Sequence, residues 1–200
     1  MKCNSRPKAV LAGLLVLSLL ATGCTAQWIG TALADLPVLL QMALNIGSLV
    51  TTLQSGQQLT AAEAQAIQNI STEASKDLNL LQALYNDYRA NPSQSGLQQI
   101  EGTIAEINQN LPALLQTAHI SDPVLAARVS TAVDLILTTV TSFASLIPQT
   151  MAPPAARRAA VGRKSPLPQP KDLKKLWNHA VCGPAGKGNL DSAFAVCQMK

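Results

Sequence analysis

Three residues near the carboxyl end have side chains suited to chemistry: His179, Cys182 and Cys197. His179 and Cys182 lie three positions apart, so on one helix the imidazole can approach the thiol, as in a cysteine nucleophile activated by a histidine base. In an exported protein, two cysteines that flank a glycine-rich turn most simply form a disulfide. The three side chains are also candidate metal ligands, but the paired spacing of a zinc site and a fourth ligand are missing. We expect a Cys182–Cys197 disulfide in preference to either alternative.

The other patterns that could carry chemistry are incomplete. The turn Gly183–Gly188 lacks the Gly-Lys-Ser/Thr ending of a phosphate-binding loop. His119 falls at the predicted end of a helix, where the helix dipole favours a cation without any catalytic role. Glu101 and Glu106 do not share a helix face, and the Glu-x-x-His pattern of di-iron bundles does not occur. We therefore expect the dispersed carboxylates to be solvated. The sequence therefore predicts no catalytic residue, no cofactor and no metal site.

The charges are divided between an acidic body and a basic tail. Residues 25–150 carry three basic against nine acidic side chains, and residues 151–200 carry nine basic against two acidic ones. Outside the cytoplasm, the anionic partners for such a tail are lipid headgroups and envelope polymers, so we do not expect a nucleic acid. The tail residues predicted to contact an anionic partner are Arg157, Arg158, Arg163, Lys164, Lys171, Lys174 and Lys175.

The amino terminus has the order of a secretory signal. Basic residues Lys2, Arg6 and Lys8 precede an apolar run over 9–20, and small residues follow directly before Cys24. The apolar run is shorter than the roughly 20 residues that span a bilayer, which argues against an uncleaved membrane helix. An ordinary cleaved signal peptide, which leaves no lipid on the mature chain, is compatible with the same order of residues.

The segment Ala21-Thr22-Gly23-Cys24 resembles the lipobox of bacterial lipoproteins, although Ala21 stands where that family most often has Leu. The resemblance covers the first 24 residues. It implies cleavage between Gly23 and Cys24, a diacylglycerol on the Cys24 thiol and a further acyl chain, such as palmitate, on the new amino group. Two or three chains make a membrane anchor effectively permanent. Thr25, in place of Asp, favours by family analogy an outer-membrane lipoprotein facing the periplasm.

The body predicts an all-α domain, an up-down four-helix bundle over residues 24–150. The first helix is expected over about 27–53, the second from the capping box at Thr60–Glu63 to Asn91-Pro92, and the fourth from Ser121-Asp122-Pro123 onward. The third has the clearest stripe, with coiled-coil-like spacing: Leu97, Ile100, Ile104, Ile107, Leu111, Leu114 and Ala118. The fourth is apolar on most sides and is therefore expected to be buried or lipid-facing.

A short internal similarity marks two of these helices. Residues 36–43 and 111–118 match at six of eight positions, at an offset of 75 residues, by duplication or by chance. Both segments contain a proline, Pro37 or Pro112, which removes a helical hydrogen bond. We expect the helices to break near Leu36 and Leu111.

The carboxyl-terminal quarter predicts a linker and a small module. Residues 151–170 are rich in proline and arginine and have little to bury, which is typical of an extended linker. Residues 171–200 follow as a disulfide-stapled helical module. Its first helix, over 171–181, is expected to have one apolar face, and 190–196 a second, shorter helix. The predicted face consists of Leu173, Leu176, Trp177 and Ala180.

These features favour a lipid-anchored, non-enzymatic protein of the cell envelope that acts as a structural or interaction module. The alternative is a membrane-active protein that inserts its apolar helices into a bilayer. This alternative is favoured by the uncharged stretch 36–62 and by the apolar fourth helix. Gln41, Asn45 and Gln54 in the first of these, and the Thr-Thr-x-Thr-Ser run at 138–142 in the second, make both poor membrane spans. A hydrolase is supported only by the spacing of His179 and Cys182.

Overall fold

The computed structural model describes residues 6–55, 59–147, 168–183 and 198–200, and in its first helix it describes the side chains of residues 28–53. Helices and short connections, without a strand, make up these ranges. The helices are α1 (Arg6–Ser55), α2 (Ala61–Ala90), α3 (Gln94–Thr117), α4 (Pro123–Leu146) and α5 (Pro170–Trp177), which a π-helical turn (Asn178–Cys182) extends.

Side-chain caps fix where the middle helices begin. Thr60 and Glu63 form the predicted capping box, in which the Glu63 amide donates to Thr60 Oγ1 at 3.2 Å and the Thr60 amide donates to Glu63 Oε2 at 2.8 Å. Ser93 accepts from the Gly96 amide, and Asp122 accepts from the Leu125 amide directly before Pro123. The predicted starts of α2 and α4 are therefore confirmed, because each cap satisfies amides that the helix cannot.

The first four helices pack against one another as an antiparallel bundle. Ser71 of α2 donates its hydroxyl to the Ala43 carbonyl of α1 at 2.7 Å, and Trp28 meets Tyr85 further along the same pair. Thr141 of α4 donates to Asn108 Oδ1 of α3 at 2.9 Å. Earlier residues of one helix thus face later residues of the next, as the short connections predicted.

The bundle interior follows the apolar stripes. Within α3, the predicted residues Leu97, Ile100, Ile104, Ile107 and Leu111 are all buried, and Leu114 is half-buried. In α4 the core-facing side is buried while Val124 is exposed. The expected core positions Ile104 and Ile136 both lie inside, and Ile136 has no exposed surface.

Two expectations about helix limits were wrong. The helices continue through Pro37 and Pro112 without a break near Leu36 or Leu111. Leu36 and Leu111 are fully buried while Pro37 is exposed, so packing on the inner side holds the helix where one backbone hydrogen bond is missing. In addition, α1 begins at Arg6 and not near Gln27, because the Ala- and Leu-rich run before Gln27 has a high helix propensity that outweighs Gly13 and Gly23.

Candidate functional site

The carboxyl-terminal helix lies across two helices of the bundle. Helix α5 contacts α1, and the π-helical turn after it contacts α4. Leu173, Trp177 and Val181 are buried in the same core as the four main helices. The described part of the predicted module is therefore packed on the bundle.

The buried face of α5 differs from the predicted one. Leu173 and Trp177 are buried as expected, but Leu176 is 48% exposed and Ala180 is exposed, while Val181 is buried. Leu173, Trp177 and Val181 follow one another at intervals of four residues, so they lie along one side of this segment. Leu176 and Ala180 lie at the edge of that side and remain in solvent.

Arg128 joins the end of this segment to α4. Its guanidinium donates to the Cys182 carbonyl at 3.2 Å and lies beside Gly183, whose φ of 65° ends the helical path. A cation is favoured there because the last carbonyls of a helix lack partners within it. Sequence reasoning missed this role, although Arg128 is the only basic residue of α4.

Hydrogen bonds also fold the last residues back onto α5. Asn178 donates to the Met199 carbonyl and accepts from the Met199 amide, both at 2.8 Å. Lys174 Nζ donates to the Lys200 carbonyl at 2.7 Å. The side chain of Met199 is buried by this arrangement.

Of the predicted basic contact residues, three lie in the described segment. Lys171 and Lys175 are exposed, and Lys174 is half-buried. Lys175 also borders an open cavity of about 460 Å³ with Asn178, His179 and Gly183. Outside the described residues lie Arg157, Arg158, Arg163 and Lys164, residues 151–167 of the linker predicted over 151–170, and the short helix predicted at 190–196.

Only part of the predicted cysteine chemistry falls within the described residues. Cys182 is buried and His179 is exposed, so the Cys182 sulfur is not presented to solvent beside the imidazole. Cys197, the turn over 184–188 and the side chain of Cys24 lie outside the described residues. The disulfide and the lipidation therefore stay predictions. His119 is exposed two residues beyond the end of α3, with a positive φ of 33°.

The expectation that the carboxylates are solvated was wrong for three residues. Asp35 and Asp77 are buried, and neither Asp35 oxygen nor Asp77 Oδ2 has a hydrogen-bond partner among the described residues. Burial raises the pKa of Asp35 to about 6. Burial, with the charge of Glu73 second, also raises the pKa of Asp77. Asp35 had a sequence signal that reasoning overlooked, since it is the only charged residue between Trp28 and Leu53.

The third buried carboxylate, Glu63, has a full set of partners. Besides the capping box, its Oε1 accepts from the Ser121 amide at 2.7 Å, which ties the start of α2 to the connection before α4. The Ser121 amide and the Thr60 hydroxyl and amide together lower the pKa of Glu63 to about 2. This residue is a structural cross-link between the starts of α2 and α4 at one end of the bundle.

An aromatic cluster lies near the predicted anchor. The Trp28 ring lies 5.7 Å from that of Tyr85 and 6.1 Å from that of Tyr88, and Tyr85 lies 6.2 Å from Phe143. Trp28, Tyr85 and Phe143 are buried and Tyr88 is half-buried. These rings make the end of the bundle nearest Cys24 a packed aromatic layer.

A second open cavity lies between α2 and α3. It measures about 420 Å³ and is lined by polar side chains with two apolar ones: Asn69, Thr72, Glu73, Asn110, Ala113 and Leu114. Across the ranges that the structure describes, no three His, Cys, Asp or Glu side chains come together in a metal-binding arrangement. The cavity offers polar contacts without an assembled reactive group.

Two stretches are long and apolar enough to cross a membrane by length and composition: Trp28–Leu53 and Pro123–Leu146. In the first, 56% of the most apolar window is buried inside the bundle, and in the second, 39%. Core helices of soluble proteins have the same composition, so this finding is weak evidence for a membrane span.

Comparison with known proteins gives no relative: no family model, no curated protein and no solved structure matches this chain.

Proposed function

We propose that this protein is a lipid-anchored, non-enzymatic module of the bacterial cell envelope, held in the membrane by an acylated Cys24 and contacting an anionic partner through its basic tail. The lipobox resemblance and Thr25 favour the outer membrane, with the bundle in the periplasm.

The observation that carries the proposal is the position of Cys24 in α1. Trp28, the first described core residue, follows Cys24 by four residues in the same helix. At 1.5 Å per residue this separation is about 6 Å along the helix axis. A lipid on Cys24 would therefore hold the aromatic end of the bundle directly against the bilayer, without a flexible spacer.

The basic tail supports the second half of the proposal. Lys171 and Lys175 point into solvent, and the four further basic residues at 157–164 precede them in sequence. A lipid anchor keeps the whole chain near the anionic surface, where each Lys or Arg adds about 1 kcal/mol of attraction. The acidic body is repelled by the same surface, so the tail is the part of the chain suited to this contact.

A Cys182–Cys197 disulfide belongs to the same proposal. It would close a loop of about 15 residues and stabilise it by about 3 kcal/mol. Met199 and Lys200, two and three positions after Cys197, are bonded back to α5, so the carboxyl end runs close to the helix that leads to Cys182. Peptide mapping with and without reductant tests it, and a free Cys197 thiol in the exported protein would contradict it.

The decisive experiment compares Cys24→Ser with Cys3→Ser. Mass spectrometry of the wild-type amino terminus should find an acylated Cys24, and membrane fractions should contain the protein. Cys24→Ser should release it, whereas Cys3→Ser should not, because Cys3 lies in the segment that cleavage removes. An unmodified terminus, or equal membrane association of both variants, would leave a soluble secreted protein or an uncleaved membrane helix.

The two apolar stretches in α1 and α4 favour a second candidate function, a membrane-active protein. In that case the protein should permeabilise vesicles, and it should need detergent to stay in solution because α1 and α4 would face lipid. The burial of Leu36, Leu39 and Met42 inside the bundle speaks for the first proposal, because these side chains are already removed from water.

A further inference from the structure

Helix α5 has a wider apolar face than the bundle covers. Leu173 and Trp177 are buried, yet Leu176 on the same face is 48% exposed and Ala180 is exposed. Leu176 therefore leaves a large apolar side chain in solvent at the edge of the covered face, beside the buried Trp177. Lys171 and Lys175 lie exposed on the other side of the helix.

This combination is typical of helices that lie in a membrane interface. Such helices place Trp and Leu at the boundary between headgroups and acyl chains, and they carry lysines on the opposite face. We propose that α5 is a two-position helix, which packs on α1 and α4 in one state and inserts Leu173, Leu176 and Trp177 into an anionic bilayer surface in the other. The inference deepens the proposed contact of the tail with anionic lipid and rests on it.

The attachment of α5 to the bundle is compatible with such a change. The hydrogen bonds of Asn178 to Met199 and of Lys174 to Lys200 lie within the carboxyl-terminal segment, so they can persist when the segment leaves. The bond from Arg128 to the Cys182 carbonyl joins the segment to α4 and has to open. Twenty residues, 148–167, separate the described ends of α4 and α5, and at about 3.4 Å per residue they give ample reach.

Packing on the bundle and insertion into the membrane compete for α5. Trp177 and Leu173 exchange one apolar environment for another, but leaving the bundle uncovers the apolar surface of α1 and α4 that they had buried, which opposes the move. Leu176 gains burial only at the membrane. Attraction between the lysines and anionic lipid then decides the position, which makes the change dependent on lipid charge and on salt.

The two tryptophans allow a direct test. The acylated protein carrying Trp28→Phe, in which Trp177 is the sole tryptophan, is reconstituted into vesicles that contain brominated phosphatidylcholine as a quencher. With phosphatidylglycerol added, Trp177 fluorescence should be quenched at low salt and recover at high salt. In vesicles of phosphatidylcholine alone it should stay unquenched.

Matched exposed leucines supply the control. Leu176→Gln should lower the ratio of quenched to unquenched Trp177 about tenfold, because Gln loses the burial that the Leu176 side chain gains in the membrane. Leu80→Gln on α2, at a residue 46% exposed and distant in sequence from α5, should leave the ratio unchanged. Should Trp28→Phe disturb the bundle, hydrogen exchange at the α5 amides of the unaltered protein gives the same answer, since anionic vesicles should speed exchange where α5 contacts α1.

The outcomes separate the inference from the function on which it rests. A vesicle-bound protein whose Trp177 is unquenched in both lipids overturns the two-position helix and leaves the anchor in place. Quenching that ignores lipid charge, or that Leu80→Gln lowers as much as Leu176→Gln, also overturns it. A protein that does not float with vesicles at all overturns both the anchor and the inference.

Discussion

Asp35 and Glu63 are both buried carboxylates, but their surroundings shift their pKa values in opposite directions. Neither oxygen of Asp35 has a partner among the described residues, so burial favours its neutral form. Glu63 accepts hydrogen bonds from Thr60 and Ser121, so its charged form is favoured. Burial alone therefore does not set the effect of a carboxylate on stability; its partners do.

Asp35→Asn should stabilise the folded protein at neutral pH. The pKa of Asp35 is raised from 3.8 to about 6, so folding is opposed by about 2–3 kcal/mol above pH 6, and this penalty fades as the pH falls from 6 to 3.8. Denaturant unfolding at several pH values measures it: the variant should exceed wild type at pH 7 and match it near pH 4. The control Asp134→Asn, at an exposed site on α4, should change the free energy of unfolding little at either pH. If Asp35→Asn were less stable than wild type at pH 7, Asp35 would have a charged or hydrogen-bonding partner.

Glu63→Gln should have the opposite effect. The pKa of Glu63 is lowered from 4.5 to about 2, so its contribution is complete above pH 4.5 and is lost as the pH falls from 4.5 to 2. Gln offers a single acceptor oxygen, which leaves the Ser121 or Thr60 amide unpaired. We expect a loss of about 1–3 kcal/mol at pH 7 that disappears in acid. Glu73→Gln, which breaks the ion pair with exposed Lys76 and removes a charge near Asp77, should cost less than Glu63→Gln. An equal cost for both variants would contradict the role of Glu63 as a cross-link.

The roles of single residues could be predicted from the sequence where a local pattern sets them, but not where a tertiary contact sets them. The capping box at Thr60–Glu63 was predictable because both partners lie within four positions. The bond from Ser121 to Glu63 spans 58 positions and the bond from Arg128 to Cys182 spans 54, so no local pattern predicts them.

At the scale of the helices, α1 and α2 are in close contact where Gly47 meets Ser71. A Cβ added at Gly47 would lie 2.6 Å from Ser71 Oγ, whose hydroxyl is bonded to the Ala43 carbonyl. Only the structure shows that the lack of a side chain at Gly47 permits this contact.

Gly47→Ala and Gly102→Ala should therefore differ in sign. Gly47→Ala should lower the free energy of unfolding by about 1–3 kcal/mol, since either Ser71 or the helix must move. Gly102 in α3 is exposed, with nothing within 4 Å of the added Cβ, so Gly102→Ala should raise it by about 0.5–1 kcal/mol through helix propensity. Thermal unfolding of both variants compares them, and stabilisation by both would mean that α1 and α2 lie further apart.

The elements themselves were largely predictable, because caps and apolar periodicity are encoded locally. Their continuity through Pro37 and Pro112 was not, since it depends on burial of the neighbouring leucines by other helices. The π-helical turn at 178–182 was also missed, and so was the burial of Val181 in place of Leu176 and Ala180. The fit of α5 to α1 and α4 decides that face.

For the whole molecule, the acidic body and the basic carboxyl-terminal region are covalently joined but suited to different surroundings. The anchor would hold the aromatic end of the bundle at the bilayer, and α5 would then be the described element able to leave the bundle for the same surface. This arrangement requires that the bundle keeps its fold when α5 moves. Helices α1 and α4 must therefore stay packed in the bundle and not insert into the bilayer.

A pair of lysine substitutions in α4 distinguishes a bundle from a membrane-spanning pair of helices. Ile136 has no exposed surface and Thr138, two residues later, is exposed. In the bundle, Ile136→Lys buries an unpaired charge and should abolish cooperative unfolding, whereas Thr138→Lys places its charge in water and should be tolerated. Ile136→Ala, which only removes packing, should cost about 2–5 kcal/mol and keep the transition cooperative.

If α4 crossed a bilayer, both lysines would lie near the middle of a 24-residue span and both would be unfavourable. Circular dichroism during thermal unfolding, with solubility in the absence of detergent, reads out the difference: equal damage by the two lysines, or a wild-type protein that needs detergent, would place the membrane-active alternative first.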